Sequence, residues 1–151
     1  MIVKKAMSKK ITSVHPETSI YEIAKILFDR NIRCLPVLGD DNKIIGIIRD
    51  ENIFQQLYPN YHEYIVDISS HNYNEIEHKM KEIAKKKAKD IMSKTFSYVH
   101  PEDPMIKALS LMIVHGERQI PVLDENKKIV GIVAKGDIFD KLFKTYLKNA
   151  T

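Results

Sequence analysis

The stretch Val14-His15-Pro16-Glu17 returns unaltered as Val99-His100-Pro101-Glu102. Working outward from it, Pro36-Val37-Leu38 returns as Pro121-Val122-Leu123, and Ile53-Phe54 as Ile138-Phe139. Lys43-Ile44 and Gly46-Ile47 return as Lys128-Ile129 and Gly131-Ile132. The offset is 85 residues each time, so residues 3–57 lie on 88–142 without a gap, with about 19 of 55 positions identical. Self-similarity of this kind marks a duplicated supersecondary unit whose copies cover each other's apolar faces. The chain divides into a first repeat at 1–57, a connector at 58–87, and a second repeat with a C-terminal helix at 88–151.

Both copies carry the same pattern. A short strand is expected at Ile11–Val14 and at Phe96–Val99, ended by His-Pro, because proline cannot donate to a ladder and restricts the residue before it. A helix follows, with Ile20, Ile23, Ala24, Leu27 and Phe28 at helical spacing in one copy and Met105, Ala108, Leu109, Met112 and Ile113 in the other. Thr18 or Ser19 signals its start in the first copy, and Asp103 with Pro104 in the second; Asn31 and Gly116 suit its end. Two apolar strands around a polar turn come next, Cys34–Leu38 with Lys43–Ile48 and Gln119–Leu123 with Lys128–Val133. A second helix starts near Asp50 and near Gly136. The fold class is therefore α/β of the α+β kind, two β-α-β-β-α units. In the connector, Tyr58, Tyr61, Tyr64, Ile65 and Ile68 read as an aromatic piece, and Asn74 as the cap of a helix presenting Ile76, Met80, Ile83 and Ala84.

Composition excludes several classes. The single cysteine, Cys34, permits no disulfide within the chain. No apolar run approaches the ~20 residues that span a bilayer, and Met1-Ile2-Val3-Lys4-Lys5 turns polar too early for a secretion signal, so a cytoplasmic location is expected. There is no glycine-rich phosphate loop and no G-x-S-x-G elbow, and Cys34 has no evident base, so no catalytic residue is assigned. The six histidines lack ligand spacing, and no metal is expected. The net charge of +4 splits as an excess of two in each repeat and none in the connector. The dense lysine cluster from Lys79 to Lys89 reads as a solvated helix face, with nucleic-acid binding as the competing reading.

Taken together, the Met-Ser-Lys segments at Met7–Lys9 and Met92–Lys94, the two Val-His-Pro-Glu segments, Arg33–Val37 and Arg118–Val122, and the Gly-Ile pairs before each last helix resemble a tandem pair of CBS (cystathionine beta-synthase) domains, a Bateman module. The resemblance covers both repeats. It implies two units packed through their sheets with pseudo-twofold symmetry. It also implies a flat homodimer, and a sensor that binds AMP, ADP, ATP or S-adenosylmethionine between the repeats and modulates a partner protein. No further cofactor is required.

In such modules an Asp at the start of each last helix holds the ribose hydroxyls, and a Ser or Thr three residues earlier meets phosphate. Asp137 matches the ribose carboxylate, and Ala134 stands in the hydroxyl position, with Lys135 and Gly136 beside it. Ile132, Arg118 and Gln119 of the second repeat join that cleft, with Ile11, Thr12, Ile32 and Arg33 from the first. The other cleft, expected to be weaker for ribose, has Asn52 and Arg49 in the two family positions, with Ile47, Cys34, Phe96, Ser97 and Glu117. Arg33 and Arg118 are the expected phosphate partners, since guanidinium binds phosphate in bidentate fashion.

Plainer readings stand beside these: Asp137 as a helix cap, Arg33 and Arg118 as structural ion pairs, Cys34 as a core-edge residue. A module that binds no ligand and serves only protein interaction is the alternative function.

Overall fold

In a computed structural model of the chain, residues 1–58 and 73–148 are described; the connector positions Tyr61, Tyr64, Ile65 and Ile68 lie outside them. The first repeat contains α1 (Ile20–Asp29), β1 (Leu35–Leu38), β2 (Ile44–Ile48) and α2 (Asp50–Leu57). The connector contributes α3 (Tyr73–Ala84), and a single helical turn, α4 (Ala88–Ile91), leads into the second repeat. There α5 (Met105–His115), β3 (Gln119–Leu123), β4 (Ile129–Ala134) and α6 (Lys135–Tyr146) follow.

The hairpins have one register. Pro36 faces Ile47 and Pro121 faces Ile132, and each hairpin carries an irregularity after its valine, at Val37/Leu38 and Val122/Leu123. The leading strands expected at Ile11–Val14 and Phe96–Val99 are not formed. Each shrinks to one parallel bridge, Val14 to Val37 and Val99 to Val122. Val14 N–H donates to Pro36 O at 3.0 Å and Val99 N–H to Pro121 O at 3.2 Å. The proline two residues later ends each pairing, and only the buried valine joins the ladder.

The helix starts also differ in detail. Ser19 Oγ accepts from Glu22 N–H at 3.3 Å and caps α1, whereas Thr18 Oγ1 accepts from His15 N–H and closes the His-Pro turn. Asp103, the counterpart of Thr18, does the same for His100 N–H at 2.8 Å, and α5 begins after Pro104 with no side-chain cap. Gly116 ends α5 at φ 66°, and Asn31 follows α1 at φ 51°, both left-handed. Asn74 lies inside the first turn of α3 and does not cap it; of the face read for that helix, Ile76 and Ile83 are buried but Met80 is exposed.

Each core borrows from the other half of the sequence. Val3 and Ala6 pack with Val99, Met105, Met112, Ile120 and Ile138 of the second repeat. Ala88 and Ile91 pack with Ile20, Ile23, Leu35 and Ile53 of the first. The docking is matched bond for bond: Val3 N–H donates to Asp103 O and Ala88 N–H to Thr18 O, both at 2.8 Å. The two hairpins then meet over Cys34, Leu38, Ile44, Ile47 and Leu123, with Phe96 and Ile129 against them. Two clefts flank that contact.

Candidate functional site

The crossing of the lead-in segments builds both clefts. Ser8 N–H donates to Ile132 O at 2.8 Å and accepts from Ile132 N–H through its carbonyl at 2.9 Å; Ser93 and Ile47 exchange the same two bonds at 2.9 and 3.0 Å. The close approach requires the glycine before each isoleucine. A Cβ on Gly131 would lie 2.8 Å from Met7 Sδ and 3.0 Å from Ser8 O, and one on Gly46 2.7 Å from Met92 Sδ. The residues after each crossing, Thr12 on one side and Phe96 and Ser97 on the other, thereby become cleft wall.

The cleft at Asp137 is small, about 150 Å³. Thr12, Ile32, Gln119, Ile132, Ala134 and Asp137 line it, as the sequence led one to expect, together with Ser8, Lys10 and Cys34. Asp137 is the third residue of α6, and its carboxylate has no hydrogen-bond or ionic partner among the described residues. It does not cap α6, whose N-cap position is Ala134. Ile11, Lys135 and Gly136 do not line the cleft; Lys135 instead donates its backbone N–H to Arg118 O at 2.9 Å.

The cleft at Asn52 is larger, about 740 Å³. Ile47, Arg49, Asn52, Phe96, Ser97 and Glu117 line it, joined by Ser93 and Thr95 from the second lead-in. Arg33 and Arg118, expected at the Asp137 cleft, line this one, while Cys34, expected here, lies in the other. The exchange turns on the residues just before each hairpin, where the backbone bends at Arg33 and at Arg118. Arg33 and Cys34 are neighbours, as are Arg118 and Gln119, so each pair splits between the clefts. Neither guanidinium has an ion-pair partner among the described residues.

Asn52 is fully engaged. Its Oδ1 accepts from Arg49 N–H at 2.8 Å, and its Nδ2 donates to Ile91 O at 3.1 Å and Ser93 Oγ at 2.9 Å. Arg49 forms an ion pair with Glu117 across the repeats and donates from Nη1 to Gln119 O at 3.1 Å. Glu117 also accepts from Ser97 Oγ at 2.7 Å. Burial pushes the Cys34 thiol up to about 11, so it stays protonated and is no nucleophile at neutral pH.

Ser8 and Ser93, marked by the repeated Met-Ser-Lys motif, were missed as cleft residues, as were Lys10 and Thr95 just beyond it and Asp50, Glu51, Gln55, His115 and Gly116 at the larger cleft. In the lysine cluster, Lys87 and Lys89 are tied to Glu17 and Lys86 to Gln56. No described helix is long and apolar enough to cross a membrane.

The CBS-domain family model matches residues 3–58 and 88–144, and the chain belongs to that family, as a tandem pair. It is 28% identical over 137 residues to the L-aspartate semialdehyde sulfurtransferase of Methanocaldococcus jannaschii; the match takes in 91% of this chain and spans only 22% of that enzyme. The CBS domain pair of protein MJ0100, solved with 5′-methylthioadenosine and S-adenosyl-L-methionine, is 26% identical with a TM-score of 0.67, over 95% of this chain and 99% of that one. CBSX2 of Arabidopsis thaliana, solved with AMP, shares the fold at 19% identity and a TM-score of 0.72, over 95% and 97% of the two chains.

Proposed function

We propose that this CBS pair is a regulatory, non-catalytic module that takes an adenosine-bearing small molecule into the cleft at Asp137. In this reading it passes the resulting change of shape to a partner protein. The observation that carries it is the unpartnered Asp137 carboxylate beside apolar walls, Ile32, Ile132 and Ala134. A carboxylate in that position can accept from both ribose hydroxyls, and the apolar walls suit a purine face. The adenosine ligands of the MJ0100 domain pair, at 26% identity, support the ligand class. With Arg33 and Arg118 turned to the other cleft, Lys10 is the cation among the residues on this wall, which favours an uncharged thioether adenosine over a polyphosphate.

The cleft's 150 Å³ is below the roughly 300 Å³ at which ligand sites begin. A ligand that binds a more open state of the cleft better than the closed one shifts the population toward it. Calorimetric titration with 5′-methylthioadenosine, S-adenosylmethionine, AMP and ATP tests the reading. Binding of at least one, lost in Asp137→Ala, supports it; no binding, or binding unchanged in the variant, overturns it.

Homodimerisation belongs to the same proposal. Phe28 and Phe54 of the first repeat have ring centroids 6.0 Å apart, as do Phe139 and Phe143 of the second, tilted against each other and all exposed. A monomer in light scattering at micromolar concentration would refute it.

A further inference from the structure

The Arg49–Glu117 pair has no equivalent in the other cleft. At the 85-residue offset Arg49 stands where the second repeat has Ala134, and Glu117 stands where the first has Ile32. Ile32 and Ala134 line the Asp137 cleft together, so the pseudo-twofold axis brings the same two positions into each cleft. One cleft holds an ion pair there and the other two apolar side chains.

The pair is well held. Both Glu117 oxygens are used, Oε1 by Ser97 and Oε2 by Arg49, and the side chains are only 16% exposed for Arg49 and 11% for Glu117. Arg33 and Arg118 line the same cavity with their guanidinium groups unpaired among the described residues. Three guanidinium groups thus face one cavity, and the chain's own carboxylate already satisfies the most buried of them. Asn52 meanwhile spends its amide on Arg49, Ile91 and Ser93, and offers no carboxylate to a ribose.

The geometry points to Glu117 as an internal anion that occupies Arg49 and holds the Asn52 cleft against phosphate-bearing ligands. A phosphate enters by taking Glu117's place on Arg49. Guanidinium accepts that exchange readily, because phosphate offers it two oxygens where Glu117 offers one. Glu117 is then left largely buried with only Ser97 as donor, and that penalty weakens phosphate binding in the native protein. The exchange also breaks a bond between the repeats, so a ligand strong enough to make it loosens the inter-repeat contact. The inference rests on the proposed function only in taking the inter-repeat clefts as ligand sites.

The test uses inorganic pyrophosphate and AMP in calorimetric titrations of the full chain. The background is Asp137→Ala, alone and combined with Glu117→Gln or with Glu51→Gln. Glu51 lines the same cavity, is exposed, and carries the same charge without touching Arg49, so it controls for charge alone. The expected result is at least tenfold tighter pyrophosphate binding, at one per chain, with Glu117→Gln and less than threefold with Glu51→Gln. Equal gains in the two variants, or no gain with Glu117→Gln, overturn the proposal; Glu117→Asn is read instead should the Gln variant unfold. Failure of the native chain to bind any adenosine compound would sink the proposed function and leave the pyrophosphate result to decide this one.

Discussion

Converting the Arg49–Glu117 pair into the residues at the matching positions of the other cleft, Arg49→Ala with Glu117→Ile, measures what that pair contributes. The two side chains are 16% and 11% exposed. Removing one partner of a fully buried pair costs roughly 3–5 kcal/mol, because the other charge is left uncompensated. Here the pair borders a water-accessible cavity of about 740 Å³, which screens the survivor, and each retains one hydrogen bond, Glu117 to Ser97 and Arg49 to Gln119 O. About 2 kcal/mol for each single variant follows. The double variant leaves no orphaned charge and adds apolar contact, so it should lose only about 1 kcal/mol, giving a coupling of about 3 kcal/mol. Urea unfolding followed by circular dichroism at neutral pH, on the native chain, both singles and the double, reads this directly. Additive singles, with coupling under about 0.5 kcal/mol, would show that the pair is a screened surface contact and refute the reasoning.

Gly131→Ala should lower stability by about 1–3 kcal/mol by pushing Ser8 from Ile132, and weaken ligand binding at Asp137 as well. Gly136→Ala, with nothing within 4 Å, should do neither, and thermal unfolding with calorimetry compares them. Cys34, buried and held up to about 11, should resist a thiol reagent at pH 8 until urea unfolds the chain; stoichiometric labelling of folded protein would contradict its placement. Glu17 is held down to about 2 by hydrogen bonds to Lys87 and then Lys89. A lowered folded value means the contact's stability is present above the ordinary carboxylate range, about 4.3, and is lost as pH falls toward 2. Glu17→Gln should therefore flatten the acid limb of the stability curve between pH 5 and 2, and an unchanged limb would refute the assignment.

Much of the architecture was legible because it is written in local pattern. The Gln119–Leu123 strand, a cap at Thr18 or Ser19 and the Gly116 stop follow from residue types and spacing that need no knowledge of distant partners. The lead-in strands were over-read. Ile11–Val14 has strand composition, but Pro16 ends the pairing and residues 11–13 are left unpaired beside the cleft. In the clefts, the positions of Asp137 and Asn52 were visible in the repeat, whereas the side each neighbouring residue faces was not. Arg33 and Cys34 occupy adjacent positions, and only the direction of the backbone sends one to each cleft.

The sequence by itself determined that this protein is a duplicated unit with a helix, a hairpin and a second helix in each copy, and that one copy keeps Asp137 where the other has Asn52. Short-range periodicity and an 85-residue echo suffice for that. Tertiary structure alone decided that Val3 and Ala6 complete the second core and Ala88 and Ile91 the first. It alone paired Arg49 with Glu117 across 68 residues of chain, and so made the two clefts chemically different. Such contacts depend on how the two repeats dock, and docking is set by the summed burial of both cores, which no local window of sequence contains.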